Sequence, residues 1–447
     1  MPLAGLPIGK RSALLLDKEN MTKYSISPMS SLYELYLRHP RISTDSRRIE
    51  PDSVFFALRG ASFDGNRFAA DALEKGAAYA VVDDPSLPNP RPDKADRLIV
   101  VDDALQTLQT LAREHRRELG LPILAITGSN GKTTTKELVS RVLAEKYEVY
   151  ATRGNLNNHI GVPLTLLAMT RDVEFGIVEM GASACGEIAL LCSIAEPNYG
   201  IVTNIGRAHL EGFGGPEGVR RGKGELYDWL ARTGGRVFVP ANDPVLMSMA
   251  AERETLAAEC YPTTLADGVE HHLEGDYNRF NVAAAVAVGR YFGVDDERIR
   301  YAVGSYRPDN HRSQKIRTGQ NTLILDCYNA NPSSMQASLV NFRQEPLESC
   351  TRKILILGDM LELGDWSDAE HRHIISLAAE IPDARILLVG PHFAKAYRSL
   401  EPRPADTTLY PSQEALAAEL RKHPVSQALI LVKGSHSIGL ERLADLL

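Results

Sequence analysis

An apolar run, Ile123-Leu-Ala-Ile126, leads into Thr127-Gly-Ser-Asn-Gly-Lys-Thr-Thr134 and then into a stretch with helical periodicity. Gly128 and Gly131 let the backbone turn tightly enough for its N–H groups, through Ser129 and Asn130, to face one phosphate cluster. The positive end of the following helix adds to that field. Lys132 supplies a point charge for β- and γ-phosphates, and the Thr133 hydroxyl, beside Thr134, can ligate Mg²⁺. The spacing departs from the general phosphate loop, because Ile126 stands where that pattern has its first glycine. A glycine-rich turn before a helix is the plain alternative. The strand-loop-helix context favours triphosphate binding.

Two later runs end in candidate metal ligands. Glu179 closes Phe175-Gly-Ile-Val-Glu179, and His209 follows the run 200–203 within Asn204-Ile-Gly-Arg-Ala-His-Leu-Glu-Gly-Phe213. In an open parallel sheet the strand carboxyl ends line the ligand crevice, which would bring both side chains to the phosphates. Oxygen ligands with waters suit Mg²⁺, and one imidazole among them is tolerable. Taken alone, each has an ordinary reading: a capping glutamate, and a loop histidine bonded to backbone.

The elements that must position these residues read as apolar strand, turn and amphipathic helix, repeated almost throughout. Strands are expected at 123–126, 175–179, 200–203, 323–327, 354–357, 386–389 and 429–432, and helices at 133–145, 281–291, 367–379 and 413–422. Short unbroken apolar runs between helices imply an α/β protein with doubly wound parallel sheets. A Pro-rich stretch at 85–92 and a charged helix at 112–119 precede the phosphate-loop unit, and helical periodicity stops at Pro308. Domains are therefore expected at 1–118, 119–307 and 308–447. No repeat of solenoid period occurs.

The whole chain bounds the partners. Its 447 residues suit two to four domains, and 44% hydrophobic with 24% charged residues is a globular composition. A net charge of −7 argues against nucleic acid as the main partner, so a polyphosphate would be held by loops and a few cations. No run approaches the ~18 apolar residues of a membrane span. Lys10 and Arg11 precede only Ala13-Leu-Leu-Leu16, too short for a secretory signal, and Met1, Met21 and Met29 are each candidate starts. Five cysteines without paired spacing fit free thiols in a reducing cytoplasm.

Beyond the loop the residues stop being generic. Thr127–Thr134 closely resembles the ATP loop of the Mur ligase family, amide-forming enzymes that also include folylpolyglutamate synthase. Asn155-Leu-Asn-Asn-His-Ile-Gly-Val-Pro163, Glu179-Met-Gly181, Ala208-His-Leu-Glu211 and Lys223-Gly-Glu225 follow in family order. So do Asn278, Asn281, Arg312, Asp326 and Tyr328-Asn-Ala-Asn-Pro332. The resemblance spans about Ser43 to Ser437. It implies a UDP-substrate-binding domain, a central ATP-binding domain of phosphate-loop type, and a Rossmann-like C-terminal domain for the incoming dipeptide.

Within the family, Tyr328-Asn-Ala-Asn-Pro-Ser-Ser-Met335, Leu357-Gly-Asp-Met-Leu-Glu-Leu-Gly364 and Val432-Lys-Gly-Ser435 are similar to the branch that adds D-alanyl-D-alanine to UDP-muramoyl tripeptide. Ser43-Thr-Asp-Ser-Arg47, Phe55-Phe-Ala-Leu-Arg-Gly60 and Phe63-Asp-Gly-Asn66 match the UDP-binding domain of that branch and of the diaminoacid-adding enzyme. Asp309-Asn-His-Arg312 looks like the diaminopimelate-reading motif of the latter. It lies, however, before the strand at 323–327, where the dipeptide-adding branch carries an arginine that reaches ATP. The sequence departs from the family at Ser183 and Ala184, where Asn and His are usual, and at His436, where Arg is common.

The resemblance also implies roles. Nucleotide binding falls to Gly128, Ser129, Asn130, Gly131, Lys132, Thr133, Thr134, Asn278, Asn281, Arg312 and Asp326. Thr133 and Glu179 would hold one Mg²⁺, and His209 and Lys223 a second. Lys132, Arg312, His209 and Lys223 would carry catalysis. Substrates would meet Ser46, Arg47, Arg59, Gly60, Asn66, Asn155, Asn157, Asn329, Asn331 and Lys433. From the sequence alone Lys223 is an ordinary solvated helix lysine, and Asn278 equally a helix cap. The family instead carboxylates this lysine with CO₂. The implied protein is a cytoplasmic monomer of cell-wall precursor synthesis, acting on small molecules through an acyl phosphate made from ATP.

Overall fold

The computed structural model describes residues 28–87, 97–308 and 314–447. Arg312 and Asp309, the chain start with Lys10, Met1 and Met21, and much of the stretch 85–92 lie outside the described residues.

The central sheet has six strands, all parallel, in the order Ala257–Tyr261, Arg236–Pro240, Tyr199–Val202, Ile123–Thr127, Phe175–Glu179, Val149–Ala151. Ile123–Thr127 comes first in the chain and sits between the two wings, so the strand order reverses beside it. That reversal opens a crevice at its carboxyl end. Glu179 pairs in register with Ile126, and Val202 with Thr127, which puts both neighbouring strand ends level with the glycine loop. Every residue of Ile123–Thr127 and Phe175–Glu179 is buried, as a strand covered on both faces requires.

The C-terminal sheet runs Gln314–Arg317, Thr322–Asp326, Ala428–Lys433, Arg352–Gly358, Ala384–Val389, Thr407–Tyr410. It is parallel except for its first edge strand. Asp326 and Lys433 are register partners at the carboxyl ends. A four-stranded parallel sheet, Ile42–Ser43, Val54–Phe56, Tyr79–Val82, Leu98–Val100, precedes the central one.

The expected strands and helices all occur, with small shifts at their ends. Helix Asn278–Tyr291 begins three residues earlier than its apolar periodicity, and Ala104–Leu119 is longer than its charged half. The latter starts at Asp103, whose side chain accepts from the Gln106 N–H, and stops at Gly120 with φ +64°. Among the described residues no helix is long and apolar enough to cross a membrane.

Candidate active site

The loop between Thr127 and the helix Lys132–Ala144 is shaped by its two glycines. Gly128 has φ +138° and Gly131 φ +79°. A Cβ on Gly128 would lie 2.0 Å from Thr203 Oγ1, and one on Gly131 2.7 Å from Asn281 Oδ1, so neither site has room for a side chain. The Ser129 N–H donates to the Asn204 carbonyl and the Asn130 N–H to Asn204 Oδ1, both at 3.1 Å, tying the loop to the next strand end. No side chain caps the helix, and Lys132, Thr133 and Thr134 line a cleft of about 960 Å³. Uncapped N–H groups at a helix start form an anion site. Lys132 Nζ is held in reach of it, 2.8 Å from the Gly128 carbonyl and 3.2 Å from that of Ser129.

Glu179 stands beside this loop, 2% exposed. Its Oε1 accepts from Thr133 Oγ1 at 3.2 Å and from Asn157 Nδ2 at 2.9 Å, and its N–H donates to Thr152 Oγ1 at 3.0 Å. Oε2 is buried and, among the described residues, has no hydrogen-bond partner. A buried carboxylate oxygen left open is costly unless something binds it. With the Thr133 hydroxyl and a phosphate cradle alongside, the donor set fits Mg²⁺. Among the described residues no three His, Cys, Asp or Glu side chains form a ready cage, and Mg²⁺ characteristically takes one or two protein carboxylates with phosphates and water.

His209 caps the short helix Leu210–Phe213 in a left-handed conformation, φ +53°. It lines the cleft, with its Nδ1 buried against the Glu362 carboxylate. Burial lowers the imidazole pKa, and the charges of Lys132 and Lys223 add to that against the opposing pull of Glu362. Lys223, on helix Pro216–Thr233, is 1% exposed, which overturns its reading as a solvated lysine. Gly218 and Gly222 on the same helix make room for Phe213, whose ring centre lies 5.1 Å from Lys223 Nζ. The amine donates to the Ala182 carbonyl at 3.1 Å. Burial above all, then the charge of Lys132, pushes its pKa down to about 7. A substantial share of neutral amine at neutral pH is the form that adds CO₂, so the residue fits a carbamate.

The remaining cleft residues arrive from two sheets. Asn278 is the first residue of its helix and not its cap. Its Nδ2 donates to the Glu274 carbonyl and its Oδ1 accepts from Asn281 Nδ2, each at 2.7 Å, while Asn281 Oδ1 accepts from Thr135 Oγ1 at 3.0 Å. This pair therefore braces the loop from behind. Asn331 caps helix Pro332–Gln344 and donates its Nδ2 to Asn130 Oδ1 at 2.9 Å, joining the C-terminal sheet to the loop. Asp326 accepts from Ser338 Oγ at 2.8 Å and from the buried Lys433. Asn155, Asn157 and Asn329 line the same cleft.

Ser46, Arg47, Arg59, Gly60 and Asn66 lie by the first sheet, apart from this cleft lining. Arg47 forks onto Asp45 and holds its carboxyl down at about 2. Asn66 is spent between Asp64 and Asp83, and Arg59 pairs with Asp83 at 2.8 Å. At the departures, the Ser183 and Ala184 N–H groups bind Glu187, and His436 stacks on Tyr328. Sequence reasoning gave no role to Thr152, Asn204, Ser338 or Glu362. Asn204 and Glu362 both lay in quoted motifs, and their places just beyond strand ends were the available signal.

A glycine loop with a bare helix start at the switch point of a parallel sheet, faced by the carboxyl edge of a second sheet, defines a nucleotide-binding α/β protein of several sheets. Family descriptions match along the chain: "Mur ligase family, catalytic domain" at 40–116, "Mur ligase middle domain" at 126–264, and "Mur ligase, glutamate ligase domain" at 311–436. The UDP-N-acetylmuramoyl-tripeptide–D-alanyl-D-alanine ligase of Bacillus subtilis is 34% identical over 90% of this chain and 92% of its own length. The Escherichia coli protein of the same name is 30% identical over the same shares. A crystal structure of MurF from Acinetobacter baumannii superposes with a TM-score of 0.79 at 30% identity, covering 91% of this chain and 93% of that one. MurF from Thermotoga maritima in complex with ADP gives 0.77 at 25%, covering 92% and 97%. The chain belongs to the Mur ligase family.

Proposed function

We propose that this chain joins D-alanyl-D-alanine to UDP-N-acetylmuramoyl tripeptide, converting ATP to ADP and phosphate, as a cytoplasmic, monomeric enzyme of peptidoglycan precursor synthesis. The observation that carries the reading is similarity, over 90% of this chain, to ligases of that name in Bacillus subtilis and Escherichia coli. The cleft supports it, because loop, acid and imidazole converge where two sheets meet.

Amide formation from a carboxylate needs a better leaving group than oxide. The tripeptide carboxylate attacks the γ-phosphorus of ATP, ADP leaves, and an acyl phosphate forms. The dipeptide amine then attacks the carbonyl, and phosphate departs from the tetrahedral intermediate. Negative charge gathers at each step, so the protein's part is positioning and electrostatic stabilisation. Lys132 swings from the loop carbonyls to the phosphates, and Arg312 is assigned to the same charge. Mg²⁺, one ion on Thr133 and Glu179 and a second on His209 and a Lys223 carbamate, neutralises phosphoryl charge when bound. Asn278, Asn281 and Asp326 border the nucleoside. Ser46, Arg47, Arg59, Gly60 and Asn66 serve the UDP end within a domain 1–118. Asn155, Asn157, Asn329, Asn331 and Lys433 serve the peptide partners, between domains 119–307 and 308–447.

The test offers the purified chain UDP-muramoyl dipeptide or tripeptide with either a free diaminoacid or D-alanyl-D-alanine, and identifies products by mass. Only tripeptide with D-alanyl-D-alanine is expected to give product. Product from dipeptide and diaminoacid would move the chain to the other branch.

A further inference from the structure

We propose that Glu362 is a positioning residue for His209, holding the imidazole from the C-terminal sheet so that its free nitrogen faces the cleft as a metal ligand. This rests on the reading of His209 as a Mg²⁺ ligand, and it goes beyond that reading by naming what sets the ligand's orientation.

His209 and Glu362 belong to different sheets, yet they meet as two non-glycine residues in the left-handed region, at φ +53° and φ +61°. Such conformations persist where surroundings fix them and cluster at functional sites. The Glu211 N–H donates to the Glu362 carbonyl at 3.2 Å, so backbone as well as side chain joins the two segments. Leu210 and Phe213, just after His209, are buried in the C-terminal core with Met360 and Leu363. On the other side of His209, the Arg207 N–H donates to Ser333 Oγ and its guanidinium pairs with Glu370, both at 2.8 Å. The loop that carries His209 is thus gripped by the C-terminal sheet before and after the imidazole.

His209 Nδ1 is buried against the Glu362 carboxylate, and among the described residues it has no other hydrogen-bond partner. With the proton on Nδ1 directed to a carboxylate, Nε2 keeps its lone pair for a ligand, the usual arrangement behind a metal-bound imidazole. Docking of the C-terminal sheet and readiness of the metal site are one event by this device, and Phe213 carries the same contact on to Lys223.

The experiment titrates Mn²⁺ into the full chain with a non-hydrolysable ATP analogue, reading free Mn²⁺ by electron paramagnetic resonance. Glu362→Gly suits φ +61° and keeps the fold where Glu362→Ala is strained. Both variants should weaken nucleotide-dependent Mn²⁺ binding about tenfold or more, while Glu362→Gln, which keeps an acceptor oxygen, stays within about threefold. In a His209→Ala background Glu362→Gly should add no further loss. Wild-type affinity in Glu362→Gly, an equal loss on top of His209→Ala, or Gln behaving as Ala would each overturn the proposal. A wild-type chain without nucleotide-dependent Mn²⁺ binding would remove the metal reading beneath it, and the proposal with it.

Discussion

Thr133 Oγ1 donates to Glu179 Oε1 at 3.2 Å, linking the first turn after the phosphate loop to the end of the neighbouring strand, 46 residues away. That contact leaves Glu179 Oε2 buried and, among the described residues, without a partner. The fold thus presents an anionic oxygen beside an anion cradle, an arrangement that makes sense once a cation lies between them. Glu179→Gln keeps the shape and the Asn157 and Thr133 neighbours but removes the charge. It should lower turnover about a hundredfold or more and raise the Mg²⁺ needed for half-maximal rate. Unchanged Mg²⁺ dependence would contradict the assignment.

Lys132 now rests on loop carbonyls that a triphosphate would displace. Lys132→Ala should fall at least about a thousandfold in rate, several kcal/mol of transition-state stabilisation. A folded variant retaining over a tenth of wild-type turnover would remove the role; steady-state phosphate release measures it.

Lys223 is buried under Phe213 with its pKa near 7. Lys223→Ala should be nearly inactive, and added acetate or formate should restore part of the rate by standing in for the proposed carbamate. Lys223→Arg should not be rescued, since its guanidinium fills the space with the wrong charge. Full activity of Lys223→Ala would take the modification out of the mechanism.

His371 sets a pH dependence of stability. Fully buried, it accepts the Met360 N–H at Nε2 (3.1 Å) and donates from Nδ1 to the Ser367 carbonyl (2.7 Å). Burial chiefly lowers its pKa, with His392 adding to the effect against Ser367 and Asp359. A folded pKa below the unfolded one means that the unfolded chain takes the proton first. Stability contributed by the neutral ring is therefore present above the ordinary histidine pKa, about 6.5, and lost as pH falls through it. Urea unfolding at pH 8 and pH 5.5 should show that fall, and His371→Gln should show less of it while losing about 1 kcal/mol at pH 8. An equal fall in the variant would assign the dependence elsewhere.

Much of this was legible in the chain. Unbroken apolar runs mark strands covered on both faces, so the central and C-terminal sheets could be read from Ile123–Thr127, Phe175–Glu179 and their later counterparts. The glycine loop declared itself because two left-handed positions and an uncapped helix start are written in residue type. Lys223 was legible only by resemblance, since a helix lysine looks solvated until Phe213 is folded over it. Glu362 could not be found at all from periodicity. Its partner lies on another sheet, and no local pattern encodes a contact made by docking.

The central claim is that one cleft activates a carboxylate with ATP and passes it to D-alanyl-D-alanine. Its most direct measurement is phosphate release by the purified chain with ATP and Mg²⁺, while UDP-N-acetylmuramoyl tripeptide and D-alanyl-D-alanine are supplied separately and together. Sustained release only when both are present, with one ligated product per phosphate, is the predicted result. Equal release with either one alone, or release without ligated product, would contradict it.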